Sequence, residues 1–374
     1  MNVLLHKNKY KMKKICFIIL MLFASLGSMQ AQILTFEWQG SQRQYLVKIP
    51  AQCDNAVPIL YFLHGLGDNI TRVDNEFHFQ QVADQFGWII VVPQALSQSG
   101  ATMWNAAMTN SNIDDSGFLM ALLDTLATQY PVDMDSVFFT GFSMGGFMTH
   151  RMAIEHGDRI TGCAPVSGLI THAMSSHTAA APVKMLHIHG TSDPVVGYDG
   201  SSQYFGGNLG LNVDAILNYW QNANHCTGTP LIDTFPDLKN DGLLFVRFRY
   251  EGDAELEHVK VIGGNHTWYL NENQTDIAYF NEIHRFFTQG NGSNVGIAEP
   301  VHPNFRFWPN PTRGLCSVEA ETDSSVELID LQGRTMARYL LKKGVNEVDL
   351  SRFPAGTYLF RTSTDIVGKV IVKQ

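Results

Sequence analysis

The segment Gly141-Phe142-Ser143-Met144-Gly145 contains the residues of this chain best suited to nucleophilic chemistry. Ser143 alone among the serines has glycine both two residues before it and two residues after it. An apolar run that favours a strand, residues 137–140, precedes the segment, and residues at helical spacing follow it. A G-x-S-x-G pattern between a strand and a helix is typical of a nucleophile elbow, which exposes a serine at the edge of a sheet. The pattern predicts that Ser143 is a nucleophile, and an idle serine in a glycine-rich turn is the alternative.

A serine hydroxyl needs a base that removes its proton and a third group that orients the base. With this elbow, the acid follows the serine along the chain and the histidine comes last. Asp193 lies in the loop after an apolar strand at residues 183–188, with Asp199 as its nearest rival, and His266 follows the last strand. We therefore predict a catalytic triad of Ser143, Asp193 and His266. Other histidines are weaker candidates for the base, because they lie on predicted helices or strands: His150, His156, His187, His189 and His284.

The segment His64-Gly65-Leu66-Gly67-Asp68 ends another apolar strand, at residues 58–63. Glycines in such a loop let backbone N–H groups turn toward the negative charge that develops on a reacting carbonyl. The first N–H groups of the helix after Ser143 have no partner within that helix and point the same way. We expect the N–H groups of Leu66 and Met144 to form an oxyanion hole. A purely structural role is the alternative for His64.

Strands and helices alternate through residues 33–287. Continuous apolar runs favour strands covered on both faces, and their alternation with helices favours a mainly parallel sheet. Functional side chains then belong in the loops after the carboxyl ends of the strands. The sequence therefore predicts the α/β class for the larger part of the chain. The expected strands are 33–38, 44–49, 58–63, 88–92, 137–140, 160–166, 183–188, 243–250 and 258–262, and the expected helices are 76–86, 115–130, 213–222 and 277–287, besides the helix after Ser143.

Residues 1–31 have the pattern of a signal peptide. Lysines at positions 9, 11, 13 and 14 precede an apolar segment, residues 15–26, that is short for a membrane span. Cleavage is expected after Ala31, and an uncleaved anchor helix is the alternative. An exported chain permits disulfides, but the sequence does not choose among the three possible pairings of its four remaining cysteines. These are Cys53, Cys163, Cys226 and Cys316.

The charge of the chain argues against nucleic acid as a partner. Five of the 26 Lys and Arg residues and none of the 35 Asp and Glu residues fall within residues 1–31, so the rest has a net charge of 21 − 35 = −14. Acidic chains without basic clusters do not attract a phosphate backbone. No Cys-x-x-Cys or His-x-x-x-His spacing suggests a metal, and no nucleotide loop is visible, so we expect no cofactor.

Residues 289–299 predict a flexible polar linker, and residues 300–374 predict a small β-sandwich. The C-terminal part resembles the sorting domain of type IX secretion in Bacteroidota, on the segments 309–314, 328–334, 356–358 and 369–374. The resemblance implies transport across the outer membrane by that machinery, to a cell-surface or extracellular location. A carbohydrate-binding module is the alternative.

Residues 32–288 resemble the α/β-hydrolases grouped as secreted polyhydroxybutyrate depolymerases and feruloyl esterases. The resemblance rests on Leu63-His64-Gly65, Trp104-Asn105 and the segments 141–146, 189–193 and 263–268. It implies the α/β-hydrolase fold for these residues and the triad described above. Asp68 stands where that family usually has glycine, and Gly65-Leu66-Gly67-Asp68 is closer to acyl-protein thioesterases.

The resemblance also implies a secreted serine carboxylic ester hydrolase that works through an acyl-enzyme. Its expected substrates are feruloyl or acetyl esters of plant polysaccharide, with Trp104, Trp268 and Tyr269 as apolar walls for a cinnamoyl group or a sugar ring. Alternatively, Trp268 packs under the histidine loop and only Trp104 is exposed. Polyhydroxybutyrate depolymerisation is the second functional candidate, ahead of a thioesterase or peptidase. A secreted binding protein on an inactive hydrolase scaffold is the alternative from another class.

Overall fold

The computed structural model describes residues 33–288 and 305–373, except for 54, 204–205, 272–274, 309, 311, 321, 331–333 and 363–365. The predicted signal peptide (1–31) and linker (289–299) lie outside the described residues. Within the described residues, no helix is both long enough and apolar enough to cross a membrane.

A ten-stranded sheet forms the centre of residues 33–288, and its six middle strands are parallel. Its order is β1-β2-β4-β3-β7-β8-β9-β12-β11-β10, with antiparallel pairs at both edges and parallel pairs between. The mainly parallel α/β-hydrolase architecture expected from the sequence is thereby confirmed. Strands β5 and β6 form a separate two-stranded ribbon. The strands of residues 33–288 are β1 (Leu34–Trp38), β2 (Ser41–Lys48), β3 (Val57–Leu63), β4 (Ile89–Pro93), β5 (Ser97–Gln98), β6 (Ala101–Thr102), β7 (Val132–Phe142), β8 (Gly162–Val166), β9 (Lys184–Gly190), β10 (Thr227–Thr234), β11 (Leu244–Glu251) and β12 (Leu256–Ile262).

Helices cover both faces of this sheet. They are α1 (Ile70–Phe77), α2 (Phe79–Phe86), α3 (Asp115–Gln129), α4 (Met144–His156), α5 (Val213–Ala223) and α6 (Tyr279–Thr288). Successive residues of β3 alternate between two cores: Tyr61 packs in the core that includes residues of α3, α4 and α5, and Phe62 packs in the core that includes residues of α1, α2 and α6. Because both faces of a strand are buried, its sequence is continuously apolar.

The helix expected over 76–86 is in fact two shorter helices, α1 and α2. Asn69 starts α1 by accepting a hydrogen bond from the Arg72 N–H, and His78 ends it with a left-handed backbone, φ 52°. Phe77 and Phe79 both contact the ring of Phe62, at centroid distances of 4.8 and 4.9 Å. Residues two apart on one continuous helix point in nearly opposite directions, so the break at His78 lets both rings enter the same core.

Residues 305–372 form two antiparallel sheets around a core of their own. One sheet has the order β13-β14-β17 and the other β16-β15-β18-β19. Phe307 of one sheet and Phe360 of the other stack at 5.0 Å between ring centroids, so the two sheets form a small sandwich. The strands are β13 (Phe305–Trp308), β14 (Leu315–Ala320), β15 (Ser324–Ile329), β16 (Thr335–Leu341), β17 (Gly344–Asp349), β18 (Gly356–Arg361) and β19 (Ile366–Val372).

Candidate active site

The turn between β7 and α4 holds Ser143 in an uncommon backbone conformation, with φ 56° and ψ −121°. Its N–H donates to the Val166 carbonyl at 3.0 Å, and its carbonyl accepts from the Phe147 N–H at 3.1 Å. A Cβ on Gly145 would overlap the backbone carbonyl of Leu63, so any other residue would push the helix away from β3. Strained non-glycine residues of this kind persist where the surrounding structure forces them, and they cluster at active sites.

Asp193 and His266 are hydrogen bonded to each other. The Nδ1–H of His266 donates to Oδ2 of Asp193 at 2.7 Å, while Oδ1 accepts from the N–H groups of Val195 and Val196 at 2.9 and 2.8 Å. The Asp193 side chain is fully buried and that of His266 is 15% exposed. Burial raises the pKa of Asp193, but the hydrogen bonds and charge of its partners outweigh burial, and the pKa lies below its ordinary value. The carboxylate is therefore ionised and oriented to hold a protonated imidazole.

His266 lies against the elbow. Its ring packs on the ring of Phe142, with 4.7 Å between centroids, and Phe142 directly precedes Ser143. Asp199, the rival carboxylate, instead accepts hydrogen bonds from the N–H and hydroxyl of Ser201. The structure thus brings His266 together with Asp193 and with the residue beside Ser143.

The loop after β3 packs against the serine. Ser143 Cβ lies 3.6 Å from the position that a Cβ on Gly65 would occupy. Neither the Leu66 N–H nor the Met144 N–H donates to another of the described residues, so both are free to bind an oxyanion. His64 supports this loop from below: its Nε2 accepts from the Ala95 N–H at 3.1 Å. Burial lowers the pKa of His64, which suits the structural role given above as its alternative.

The prediction that Trp104 and Trp268 form apolar walls of the substrate site is wrong. Trp104 is 1% exposed, and its indole N–H donates to the His64 carbonyl at 3.0 Å. Trp268 is 6% exposed and packs among Phe62, Phe77 and Phe280, below the histidine loop. Each indole therefore supports, from inside, a loop that carries candidate site residues. Tyr269 is half-buried and remains a candidate for contact with substrate.

His189 is a residue of this site that the sequence analysis did not single out for a role. It is completely buried, its Nε2–H donates to the Val196 carbonyl at 2.8 Å, and the same nitrogen lies 3.8 Å from Asp193 Oδ2. It thereby fixes the turn whose N–H groups bind Asp193. The spacing in the sequence could have indicated this role, because His189 is the last residue but one of β9 and lies four residues before Asp193.

Comparison with known protein families agrees with this geometry. Residues 46–204 match the phospholipase/carboxylesterase family, and residues 306–373 match the C-terminal sorting domain of a secretion system. Part of the chain is therefore similar to carboxylesterases and part to a secretion sorting domain, each within the residues matched. The match of residues 306–373 is consistent with secretion of the chain.

Individual curated proteins are similar to part of this chain. A bifunctional acetylxylan esterase/xylanase of Neocallimastix patriciarum is 25% identical over 231 residues, which are 61% of this chain and 31% of that protein. A probable feruloyl esterase C of Aspergillus niger is 29% identical over 184 residues, 46% of this chain and 64% of that protein. The chain therefore spans less than two thirds of either relative. The solved acetyl xylan esterase from Aspergillus awamori shares the fold, with a TM-score of 0.51, 15% identity and coverage of 69% of this chain and 98% of that chain.

A polar cleft of about 960 Å³ lies between the loop before α3 and the loop after β8 of the hydrolase. Amides and hydroxyls dominate its lining, which includes no carboxylate. Thr171 joins its two sides through a hydrogen bond to the Ala106 carbonyl at 3.4 Å. Its hydrogen-bonding side chains include Asn105, Asn110, Asn112, Arg151, His172 and Asn208.

One group of side chains in the described residues has the spacing of a metal site: the carboxylates of Asp237, Asp241 and Asp276. Each of the three accepts a hydrogen bond from a backbone N–H, those of Asn240, Leu243 and Leu238 respectively. These hydrogen bonds account for the arrangement of the carboxylates, and the chemistry of the serine requires no metal.

Proposed function

We propose that this hydrolase cleaves acetyl or feruloyl esters of plant polysaccharide through an acyl-enzyme on Ser143. The observation that supports this most is the 2.7 Å hydrogen bond between buried Asp193 and His266, whose ring packs beside the serine turn. A serine in an elbow, a histidine and an orienting carboxylate form the minimum set for acyl transfer.

In the first half of the reaction, His266 Nε2 takes the hydroxyl proton of Ser143 as Oγ attacks the ester carbonyl. The carbonyl oxygen becomes an oxyanion, which the free N–H groups of Leu66 and Met144 bind. Asp193 keeps Nδ1 protonated, so that Nε2 is the basic nitrogen, and stabilises the imidazolium. Collapse of the intermediate breaks the ester C–O bond, and the imidazolium gives its proton to the leaving alcohol.

In the second half, water replaces the alcohol. His266 removes a proton from the water as its oxygen attacks the acyl carbonyl, and the same N–H groups bind the second oxyanion. The C–O bond to Ser143 then breaks, Oγ regains its proton from His266, and the carboxylic acid leaves. The cycle consumes one water and requires no other reactant.

Two features support a polysaccharide ester as the substrate. The relatives are named as acetylxylan and feruloyl esterases, and the polar cleft offers amides and hydroxyls without a carboxylate. Arg151, on the cleft wall, is eight residues from Ser143 along the chain into α4, or about 12 Å at 1.5 Å per residue. The cleft thus suits sugar residues next to the esterified one, not the acyl group itself.

We propose export in two steps. Residues 1–31 act as a signal peptide for the inner membrane, and residues 300–374 engage the type IX machinery at the outer membrane. The match of residues 306–373 to a sorting domain supports the second step. An enzyme released by this route meets polymers outside the cell, which agrees with the proposed substrate.

The nucleophile is tested with Ser143→Ala and p-nitrophenyl acetate. We expect kcat to fall by roughly 10⁴-fold to 10⁶-fold, because Oγ of Ser143 is the proposed site of acylation. Thermal unfolding serves as the control, since a hydroxyl-to-hydrogen change in the turn should leave the fold intact. Turnover near the wild-type value would refute the assignment, and a wild-type chain without esterase activity would favour the binding-protein alternative.

The substrate is tested with acetylated xylan, methyl ferulate, polyhydroxybutyrate and p-nitrophenyl octanoate. We expect acetate or ferulate release to exceed hydrolysis of the octanoate ester and the polyester. A preference for octanoate without release from xylan or methyl ferulate would contradict the polysaccharide proposal while leaving ester hydrolysis established.

A further inference from the structure

Asp68 places a carboxylate next to the candidate nucleophile. Its Oδ2 and the Cβ of Ser143 lie within about 7 Å of one another, since each is 3.6 Å from the position that a Cβ on Gly65 would occupy. The triad does not use this carboxylate, because His266 is already paired with Asp193. Its closeness to the serine calls for a separate explanation.

The backbone of Asp68 is firmly held. Its carbonyl accepts from the Thr102 hydroxyl at 2.6 Å and from the Gln94 side-chain amide at 3.2 Å, and its N–H donates to the Gly65 carbonyl at 3.3 Å. The turn after β3 is thus tied to the β6 region and to the residue after β4. The carboxylate is therefore presented at a fixed place beside the serine.

The carboxylate of Asp68 has few partners among the described residues. Oδ1 is buried and accepts no hydrogen bond from the described residues. Arg72 Nη1 lies 3.2 Å from it as an ion-pair partner, but the Arg72 side chain is 68% exposed, and such pairs are weak. None of the hydrogen bonds among the described residues uses Oδ2. Oδ2, which lies close to the candidate nucleophile, is therefore available to a bound molecule.

A negative charge that is balanced only by the exposed Arg72 is unfavourable for the chemistry at this place. The reaction develops an oxyanion at the Leu66 and Met144 N–H groups, and an anion nearby opposes that charge. A contact with substrate would offset this effect. An acetyl group has no hydrogen-bond donor, whereas a sugar ester carries hydroxyl groups next to the ester oxygen.

We propose that Asp68 determines specificity for the alcohol part of the ester by accepting a hydrogen bond from a neighbouring sugar hydroxyl. This inference rests on the proposed ester hydrolysis and adds the class of alcohol, a polyhydroxylated one. A site built to bind a substrate hydroxyl discriminates strongly against analogues that lack it. Alcohols without such a hydroxyl, and alcohols that carry a negative charge, are therefore poor leaving groups for this enzyme.

The test uses two substrates with the same acetyl group, phenyl acetate and an acetylated xylo-oligosaccharide, with the full-length wild type, Asp68→Ala and Asp68→Asn. For Asp68→Ala we expect kcat/KM for the sugar ester to fall by about tenfold or more, as for loss of a hydrogen bond to a charged group. For phenyl acetate we expect a rise of about threefold, because the opposing charge is gone. Asp68→Asn should lie between, since its amide oxygen still accepts a hydrogen bond.

Glu76→Gln is the matched control, since it removes a negative charge from an exposed position on α1. It should leave the ratio of the two kcat/KM values unchanged. An equal fall for both esters in Asp68→Ala and Asp68→Asn would mean that Asp68 only holds the loop, and kcat/KM values unchanged for both esters would mean that it does not contact substrate. Either result overturns this proposal alone, whereas a wild type that cleaves neither ester overturns the proposed function as well.

Discussion

Asp193 and Asp199 lie six residues apart, yet they differ in burial and in partners. Asp193 is buried against His266, and the exposed Asp199 binds Ser201 of its own loop. We expect Asp193→Asn to lower kcat for p-nitrophenyl acetate by roughly 10³-fold to 10⁴-fold, because the amide does not fix the Nδ1–H tautomer of His266. Asp199→Asn should stay within about twofold, since it lies outside the triad. The reverse ranking in steady-state kinetics would show that the wrong carboxylate had been assigned.

Trp104 is expected to act through stability rather than through substrate binding. Its indole is buried and holds the His64 carbonyl. Trp104→Ala should lower the free energy of unfolding by about 3–5 kcal/mol, the usual result of removing a buried tryptophan. Denaturant unfolding measures this loss, and Trp104→Phe should lose less because it keeps most of the ring. If a fully folded variant had a KM that rose for methyl ferulate but not for p-nitrophenyl acetate, Trp104 would contact the substrate after all.

Local sequence patterns were enough to predict Ser143, Asp193 and His266 as site residues. Each follows a predicted strand and lies in a segment with glycine or proline, which favour turns. The burial of Trp104 could not be read in the same way. Whether an indole after a strand faces solvent depends on what packs over it, here the loop that carries His64. Side-chain exposure in loops is a tertiary property, and sequence spacing contains little information about it.

At the scale of elements, the close approach of α4 to β3 depends on Gly145. A Cβ there would overlap the Leu63 carbonyl, which is backbone and cannot rotate away. We expect Gly145→Ala to abolish esterase activity and lower the melting temperature, because the helix must shift together with Ser143. Gly356→Ala is the control, since a Cβ on Gly356 would meet nothing closer than 3.7 Å. An active, stable Gly145→Ala enzyme would mean that the elbow tolerates a displaced helix.

Element prediction succeeded where burial enforces a pattern and failed where it does not. The central strands were found because both faces are covered and their residues are all apolar. The antiparallel edge strand β10 was missed, since its residues are mostly exposed or half-buried and include glycine and proline. The division at His78 was missed because it depends on two phenylalanines sharing one core, which is a contact between elements.

At the scale of the whole molecule, a group of buried histidines predicts acid sensitivity. The rings of His150, His187 and His258 are at most 1% exposed, and successive centroids lie 5.6 and 5.2 Å apart. Burial disfavours the imidazolium form and lowers the pKa of all three, to about 3 for His150 and His258. In the unfolded chain the same residues take up protons near their ordinary pKa of 6.5.

The unfolded state therefore binds more protons below pH 6.5, and stability falls as the pH decreases from 6.5 towards 3. Above pH 6.5 the contribution of these histidines is fully present. Each adds up to about 1.4 kcal/mol per pH unit to the slope. Urea unfolding at pH 7.5, 6 and 5 measures the slope, which should decrease in His258→Gln but not in His172→Gln, an exposed control. Equal stability at pH 7.5 and 5 would contradict this account.

The strongest expectation for the whole chain is that catalysis and export separate. Among the described residues, those of the C-terminal core, such as Val318, Val326 and Phe360, belong to neither core of the large sheet. Because the two cores of residues 33–288 contain no described residue of the C-terminal strands, we expect deletion of residues 300–374 to leave kcat/KM for p-nitrophenyl acetate within about twofold. The truncated enzyme should accumulate in the periplasm, since it has lost the proposed signal for the outer membrane.

Full-length Ser143→Ala is the control for that experiment, because it should be exported normally while inactive. Fractionation of cells that produce the wild type, the truncated chain and the serine variant separates the two properties. Export of the truncated chain at the wild-type level would refute the role of residues 300–374, and a truncated chain that does not fold would refute the domain boundary. We expect the inactive variant to be exported and the active truncated chain to be retained, because the C-terminal residues have a core of their own.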